Sequence, residues 1–237
     1  MGAHLCNSLK GKFGQNKEDP PSCILQIRKD GSMINYTFIR DISRKVISKI
    51  KSRYTYVPVQ ITKSEWDSKY EHGNWTRIAE IDELAHYSVI GGYIIFLKTD
   101  CKILDLACGE GLLKTRLCNS YSRYIGIDTS PAAIRIAKQH EDNKSEFMIG
   151  AMETFSIDER FHIIVFNECL YYLNKPIKVI NAYKKNLEPG GAFIISMHST
   201  DNNGKLWKLI DDSFDILDYV SVTNAKGISW IIKVIRP

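Results

Sequence analysis

The chain has 237 residues, 44% of them hydrophobic and 25% charged, with a formal net charge of +5. That length allows one full core of about 150 residues with an extension, the composition is that of an ordinary globular protein, and the modest charge neither demands nor excludes an acidic partner. Six cysteines occur with no CxxC pair, which argues against a metal or disulfide framework and for buried free thiols in a reducing, cytoplasmic setting. No apolar run reaches the ~18 residues needed to span a bilayer.

Residues 1 to about 22 are polar, carry Pro20-Pro21 and show no periodicity. From Cys23 to Phe38 apolar and polar residues alternate on either side of Asp30-Gly31, a strong hairpin signal. Two strands alone are marginal, so this hairpin needs a surface, on the main domain or on another copy in a homodimer. Asp41 to Tyr54 reads as an amphipathic helix with Ile42, Val46, Ile47 and Ile50 on one face and Arg44, Lys45, Lys49, Lys51 and Arg53 around the rest. A solvated face is its plain meaning, and contact with an anionic surface is the alternative. Residues 1–61 thus form an N-terminal extension.

Thr62-Lys63-Ser64-Glu65 is a capping box, opening a short helix that carries Trp66 and Tyr70 and stops near Gly73. After Trp75 a longer helix runs from about Asp82 to Lys98, with Leu84, Tyr87, Val89, Ile90 and Ile94 at helical spacing. His72 and His86 fall on this segment and read as surface histidines. Residues 62–98 are expected to form a helical lid and residues 99–237 a core.

In the core, strands at 102–106, 124–128, 145–149, 161–166 and 192–198 alternate with helices at 111–119, after Ser130-Pro131, from about 175 to Leu187 with a stop at Gly190-Gly191, and near 203–213. Two last strands, 215–222 and 229–235, have no helix between them. The alternation predicts an α/β fold: a doubly wound, Rossmann-like, mostly parallel seven-stranded sheet whose final strand is antiparallel.

The first core strand ends at Asp105 and passes through Ala107-Cys108-Gly109-Glu110-Gly111 into a helix. Glycines at 109 and 111 permit positive φ and close approach of a ligand to the backbone. A dinucleotide site would carry a third glycine three residues on; here that position is Lys114, which argues against a nicotinamide or flavin. Asp105 suits an ammonium rather than a phosphate. Asp128, ending the next strand about 20 residues on, suits two ribose hydroxyls. An amino acid end and a ribose together describe S-adenosylmethionine.

Asp105-Leu106-Ala107-Cys108-Gly109-Glu110-Gly111 resembles motif I of the class I S-adenosylmethionine-dependent methyltransferases, and Ile125-Gly126-Ile127-Asp128 resembles motif II. The likeness runs from about residue 62 to the C-terminus. It implies a cofactor site made of Asp105, Ala107, Gly109, Gly111, Asp128, Thr129, Ala151, Met152, Glu153 and Asn167, with Met152 over the adenine. Relatives often carry Asp where this chain has Gly150, which leaves Glu153 to meet the adenine amino group. It also implies a lid, contributing Trp66, Tyr70, Trp75, His86 and Tyr87 beside the acceptor.

Phe166-Asn167-Glu168-Cys169-Leu170-Tyr171-Tyr172-Leu173 lacks the Asn/Asp-Pro-Pro-aromatic run of enzymes that methylate base amines, and the Pro-Cys nucleophile of pyrimidine methylation is also missing, so a nucleic-acid acceptor is disfavoured. The run is similar to small-molecule and carbohydrate methyltransferases, including those acting on bacterial surface polysaccharides. A hydroxyl acceptor must lose its proton as it attacks, and imidazole titrates near neutrality. His198 at the end of the fifth strand and Glu168 are therefore the candidate general bases. No metal ligands are assigned. The expectation is O-methylation of a sugar or other small hydroxylated acceptor, with small-molecule N-methylation or a non-catalytic binding module as alternatives.

Overall fold

A computed structural model describes residues 28–29, 32–33, 55–72, 80–118 and 120–236. The expected helix over residues 41–54, and Trp75, lie outside them. The chain divides into two compact units, Met1–Arg53 and Tyr54–Pro237. In the first, strands β1 (Arg28–Lys29) and β2 (Ser32–Met33) pair antiparallel, Arg28 with Met33 and Lys29 with Ser32, as the hairpin reading expects.

The second unit opens with helix α1 (Lys63–Glu71). The backbone N–H of Thr62 donates to the Glu65 carboxylate at 2.6 Å, and the Thr62 side chain accepts from the Glu65 N–H at 3.3 Å, so the capping box read in the sequence is formed. Helix α2 (Ile81–Leu97) follows. The alternating region then runs β3 (Cys101–Leu106), α3 (Leu112–Arg116), β4 (Tyr121–Asp128), α4 (Pro131–Ala137), β5 (Ser145–Ile149), β6 (Phe161–Asn167), α5 (Pro176–Ala182), β7 (Leu187–His198), α6 (Asp201–Asp211), β8 (Asp215–Thr223) and β9 (Ser229–Arg236). The seven strands of this unit lie in the order β5-β4-β3-β6-β7-β9-β8. All neighbours pair in parallel except β9, which is antiparallel to both β7 and β8. Strand order therefore reverses between β3 and β6, where ligands of open α/β sheets bind.

Each face of the sheet has its own apolar layer. Ile103, Tyr124, Val165, Ile194 and Trp230 face Tyr87, Ile90, Ile94, Leu113 and Ile134 from α2, α3 and α4. Leu104, Phe166, Phe193 and Ile195 face Ile180 of α5 and Leu206, Trp207 and Ile210 of α6. Because strand side chains alternate, Asp105 falls on the same face as Ile103 and is carried into the layer under α2.

Three elements differ from the sequence expectation. Helix α5 ends at Ala182, and a 3-10 turn over Tyr183–Asn186 leads into β7. Strand β7 begins at Leu187, ahead of Gly190-Gly191, because Leu187 already pairs with Phe161. The glycines shift the register inside the strand, Gly190 at φ +79°, before Ala192 pairs with Ile163. Helix α3 stops at Arg116, shorter than the span read from the sequence.

At Gly111, φ is +75° and a methyl in place of hydrogen would lie 2.8 Å from the Phe147 ring and 3.3 Å from Ala137 Cβ, whereas at Gly190 it would meet nothing within 4 Å. Gly111→Ala should therefore lower unfolding stability by about 2–4 kcal/mol through overpacking and backbone strain together. Gly190→Ala, which suffers the strain alone, should cost about 1 kcal/mol. Urea unfolding of the two variants measures the difference, and equal losses would show that Phe147 yields freely.

Candidate active site

The carboxyl ends of β3, β4, β6 and β7, with α1 and α2 above them, enclose a cavity of about 440 Å³. All the expected cofactor residues except Gly111 line it, together with Glu168, His198, Trp66, Tyr70, His86 and Tyr87. Gly111 sits behind the bend, facing Phe147.

Asp128 ties the cofactor side together. Its carboxylate accepts from the Gly109 N–H at 3.0 Å through one oxygen and from the Ser130 N–H at 2.9 Å through the other, and its main-chain oxygen accepts from Gly150 N–H at 2.9 Å. Burial raises its pKa and these amide donors oppose the rise. A carboxylate offers about four acceptor positions, so these donors leave room for a further hydroxyl. Ser130 caps α4 by accepting from Ala133 N–H at 3.2 Å, with Pro131 at the first helical position as read in the sequence. The same hydroxyl donates to Asp67 of α1 at 2.6 Å, anchoring that helix beside the site.

Asp105 is 2% exposed. One of its oxygens accepts from the Tyr124 hydroxyl, and the other is buried with no partner. Desolvation pushes its pKa up to about 7, opposed by the Tyr124 hydrogen bond. Asn167 Oδ1, in the same cavity, is likewise buried and unpartnered. Two orphan acceptors on residues lining one cavity could receive a cationic donor such as an α-ammonium. Tyr70 covers the bend from the lid side: a methyl at Gly109 would lie 2.9 Å from its hydroxyl.

The turn after β5 explains an oddity of the sequence. A Cβ at Gly150 would lie 2.7 Å from Cδ2 of Phe155, so that ring occupies the room a side chain there would need. Ala151, Met152 and Glu153 continue along the cavity wall, and Tyr183 fixes the turn by donating to the Met152 carbonyl at 2.9 Å. Thr129 lines the wall beside Asp128.

Across the cavity, Glu168 and His198 are in direct contact. Glu168 Oε2 lies 2.6 Å from His198 Nδ1 and accepts from the His198 backbone N–H at 3.2 Å and from the Tyr171 hydroxyl at 3.1 Å. Ser196 Oγ donates to the other oxygen at 3.4 Å. A carboxylate can only accept here, so Nδ1 carries the proton and Nε2 the basic lone pair. Glu168 itself has φ +52°, a left-handed conformation rare for a residue with a side chain. The His198 carbonyl accepts from Asn203 Nδ2 at 2.9 Å, which fixes the strand end from α6.

Aromatic rings complete the chamber. Trp66 meets Tyr172 edge-on at 4.9 Å, and Tyr171 lies 4.4 Å from Tyr172. His86, read as a surface residue, is 1% exposed: helical spacing turns it inward with Tyr87, against Trp230 of β9. His72, by contrast, is exposed. Sequence reasoning missed Trp230, which stacks on His86 and lies tilted against His198, and Tyr124, the donor to Asp105. Nothing local marks either one, since each becomes a neighbour only when the sheet forms. Among the described residues, no group of three or more His, Cys, Asp or Glu side chains is placed to hold a metal, and no helix is long and apolar enough to cross a membrane.

A family described as "Methyltransferase domain" matches residues 97–227. Curated relatives include a mitochondrial ubiquinone biosynthesis O-methyltransferase of Schizosaccharomyces pombe, 25% identical over 43% of this chain and 41% of its own. Another, the ubiquinone biosynthesis O-methyltransferase of Pasteurella multocida, is 27% identical over 75% of each chain. For the first relatives matched, the likeness spans about half of their length. Among solved structures, N-methyltransferase NodS from Bradyrhizobium japonicum in complex with S-adenosyl-L-homocysteine superposes with a TM-score of 0.61 at 19% identity, covering 72% of this chain and 97% of that one. With motif I forming the bend, Asp128 at the second strand end and the family match covering more than half of the sequence, this chain belongs to the class I S-adenosylmethionine-dependent methyltransferase family.

Proposed function

We propose that the protein methylates a hydroxyl of a sugar or another small hydroxylated acceptor, with His198 as general base and Glu168 as its positioning partner. The observation that carries this reading is the 2.6 Å contact between Glu168 and His198 Nδ1 at the edge of the cofactor cavity. An amine acceptor has its own lone pair once deprotonated and needs no such pair; a hydroxyl does.

The residues divide the work as follows. Asp105 and Asn167 receive the amino acid end of the donor, Asp128 the ribose, and the turn from Gly150 to Glu153 the adenine. S-adenosylmethionine, when bound, supplies an electrophilic methyl group and departs as a neutral thioether, so no acid is required. His198 Nε2 takes the hydroxyl proton as the oxygen forms its bond to the methyl carbon and the carbon–sulfur bond breaks. Glu168 holds the tautomer that leaves Nε2 basic and stabilises the imidazolium that results. Trp66, Tyr70, Tyr171 and Tyr172 exclude water from the transfer. The intact orphan acceptors Asp105 and Asn167 argue against a binding module that has lost its cofactor.

The direct test is incubation with labelled S-adenosylmethionine and a cell extract, followed by mass analysis of the product. A methyl ether should form. His198→Ala should lower turnover of that acceptor about 10²–10⁴-fold with cofactor affinity retained, and Glu168→Gln should lower it by less. Turnover undiminished in both variants would make the acceptor an amine and remove the base.

A second outcome concerns Asp105. Its carboxyl is neutral below a pKa of about 7 and anionic above it, and a cationic ligand prefers the anion. Affinity for S-adenosylmethionine should therefore rise as the pH goes from about 6 to about 8, with proton release on binding at the lower pH. Asp105→Asn should bind weakly and lose the pH step. Calorimetry in buffers of different ionisation enthalpy measures both.

A further inference from the structure

His86 has no part in the proton transfer just described, yet it is built into the same cavity. Its ring lies 4.8 Å from that of Trp230, stacked at 20°, and 4.4 Å from that of Tyr87. Neither ring nitrogen has a hydrogen-bond partner, although leaving a buried polar group without one is costly. Nδ1 is 3.6 Å from Glu83 Oε2, too far for a hydrogen bond. The pair is not an ion pair either, because burial, reinforced by His198 and Arg116, pulls the His86 pKa down to about 3. A neutral imidazole has one N–H and one bare nitrogen, so in either tautomer one ring nitrogen is left as an acceptor. The His198 ring lies 4.9 Å from the same indole, so both imidazoles rest against Trp230.

We infer that His86 is a specificity-determining residue that accepts a hydrogen bond from a second hydroxyl of the acceptor, a ring whose first hydroxyl is methylated beside His198. His86 and His198 line the same cavity as Trp66, Tyr171 and Tyr172, so one ring bearing two oxygens would meet both imidazoles there. The acceptor is not an anion. Among the described residues that line the cavity, Glu83, Asp105, Glu110, Asp128, Glu153 and Glu168 are acidic, while Lys63 is the one lysine or arginine. An anionic ring would meet that field unfavourably. A polyhydroxylated aliphatic ring and a dihydroxylated aromatic one share this chemistry.

The inference rests on the methyl-transfer reading, and its test separates the two. Methyl transfer is measured to two matched pairs of probes: catechol against phenol, and cis-cyclohexane-1,2-diol against cyclohexanol. In at least one pair the two-oxygen member should react with a kcat/KM about tenfold higher or more, as one added hydrogen bond in a dry site implies. In His86→Phe, which retains a ring against Trp230, that ratio should fall close to one, chiefly through KM. The pair that shows the preference tells aromatic from aliphatic rings. A ratio near one in both pairs for wild type, or a ratio unchanged in His86→Phe, overturns the inference while leaving the base reading intact. Absence of transfer to any probe or extract hydroxyl sinks the underlying reading instead. A measurement on wild type guards against misfolding of the variant. With S-adenosylhomocysteine saturating, the preferred diol should shift the His86 ring nitrogen resonances and its one-oxygen partner should not. No shift with either diol also overturns the inference.

Discussion

Three turns of the chain converge on one residue. The bend after β3 reaches the Asp128 carboxylate through Gly109 N–H, the start of α4 reaches it through Ser130 N–H, and the turn after β5 reaches the Asp128 main-chain oxygen through Gly150 N–H. The two bonds to the carboxylate contribute about 1.5–3 kcal/mol each and the one to the main-chain oxygen about 0.5–1.5 kcal/mol, so this residue fixes the relative positions of the segments that would hold the amino acid, ribose and adenine parts of the donor. Helix α1 is fastened to the same place, because Ser130, which donates its N–H to Asp128, also donates its hydroxyl to Asp67. The three turns and helix α1 are thus held by one short network.

The acceptor side repeats this logic with strain added. Glu168 holds a left-handed backbone, at a cost on the order of 1 kcal/mol or more. It persists because two hydroxyls and both the backbone and ring N–H groups of His198 converge on its carboxylate. In the extended conformation usual at a strand end, the carboxylate would not be presented to His198 in this way. The unusual φ and the carboxylate–imidazole contact are two views of a single arrangement.

The fold was legible because its signals are local and periodic. Capping residues such as Thr62 and Ser130, the glycine bend at 109–111 and the repeated strand–helix alternation each announce themselves within a few residues. Strand ends were legible as chemistry for the same reason, and Asp105, Asp128, Asn167, Glu168 and His198 all reach one cavity. What stayed hidden was tertiary. Gly190-Gly191 reads as a helix stop, but pairing of Leu187 with Phe161 draws the preceding residues into β7. His86 reads as a surface histidine until β9 brings Trp230 against it. The empty side chain at Gly150 is explained only by Phe155, which packs into that space.

The most direct test of the account is a crystal structure of the protein with S-adenosylhomocysteine. The account predicts its amino group against Asp105 and Asn167, its ribose hydroxyls on Asp128, its adenine along Gly150 to Glu153, and its sulfur opening toward the Glu168–His198 pair. A nucleoside bound elsewhere, or a bend closed over by Tyr70 with no ligand beneath it at saturating concentration, would contradict it.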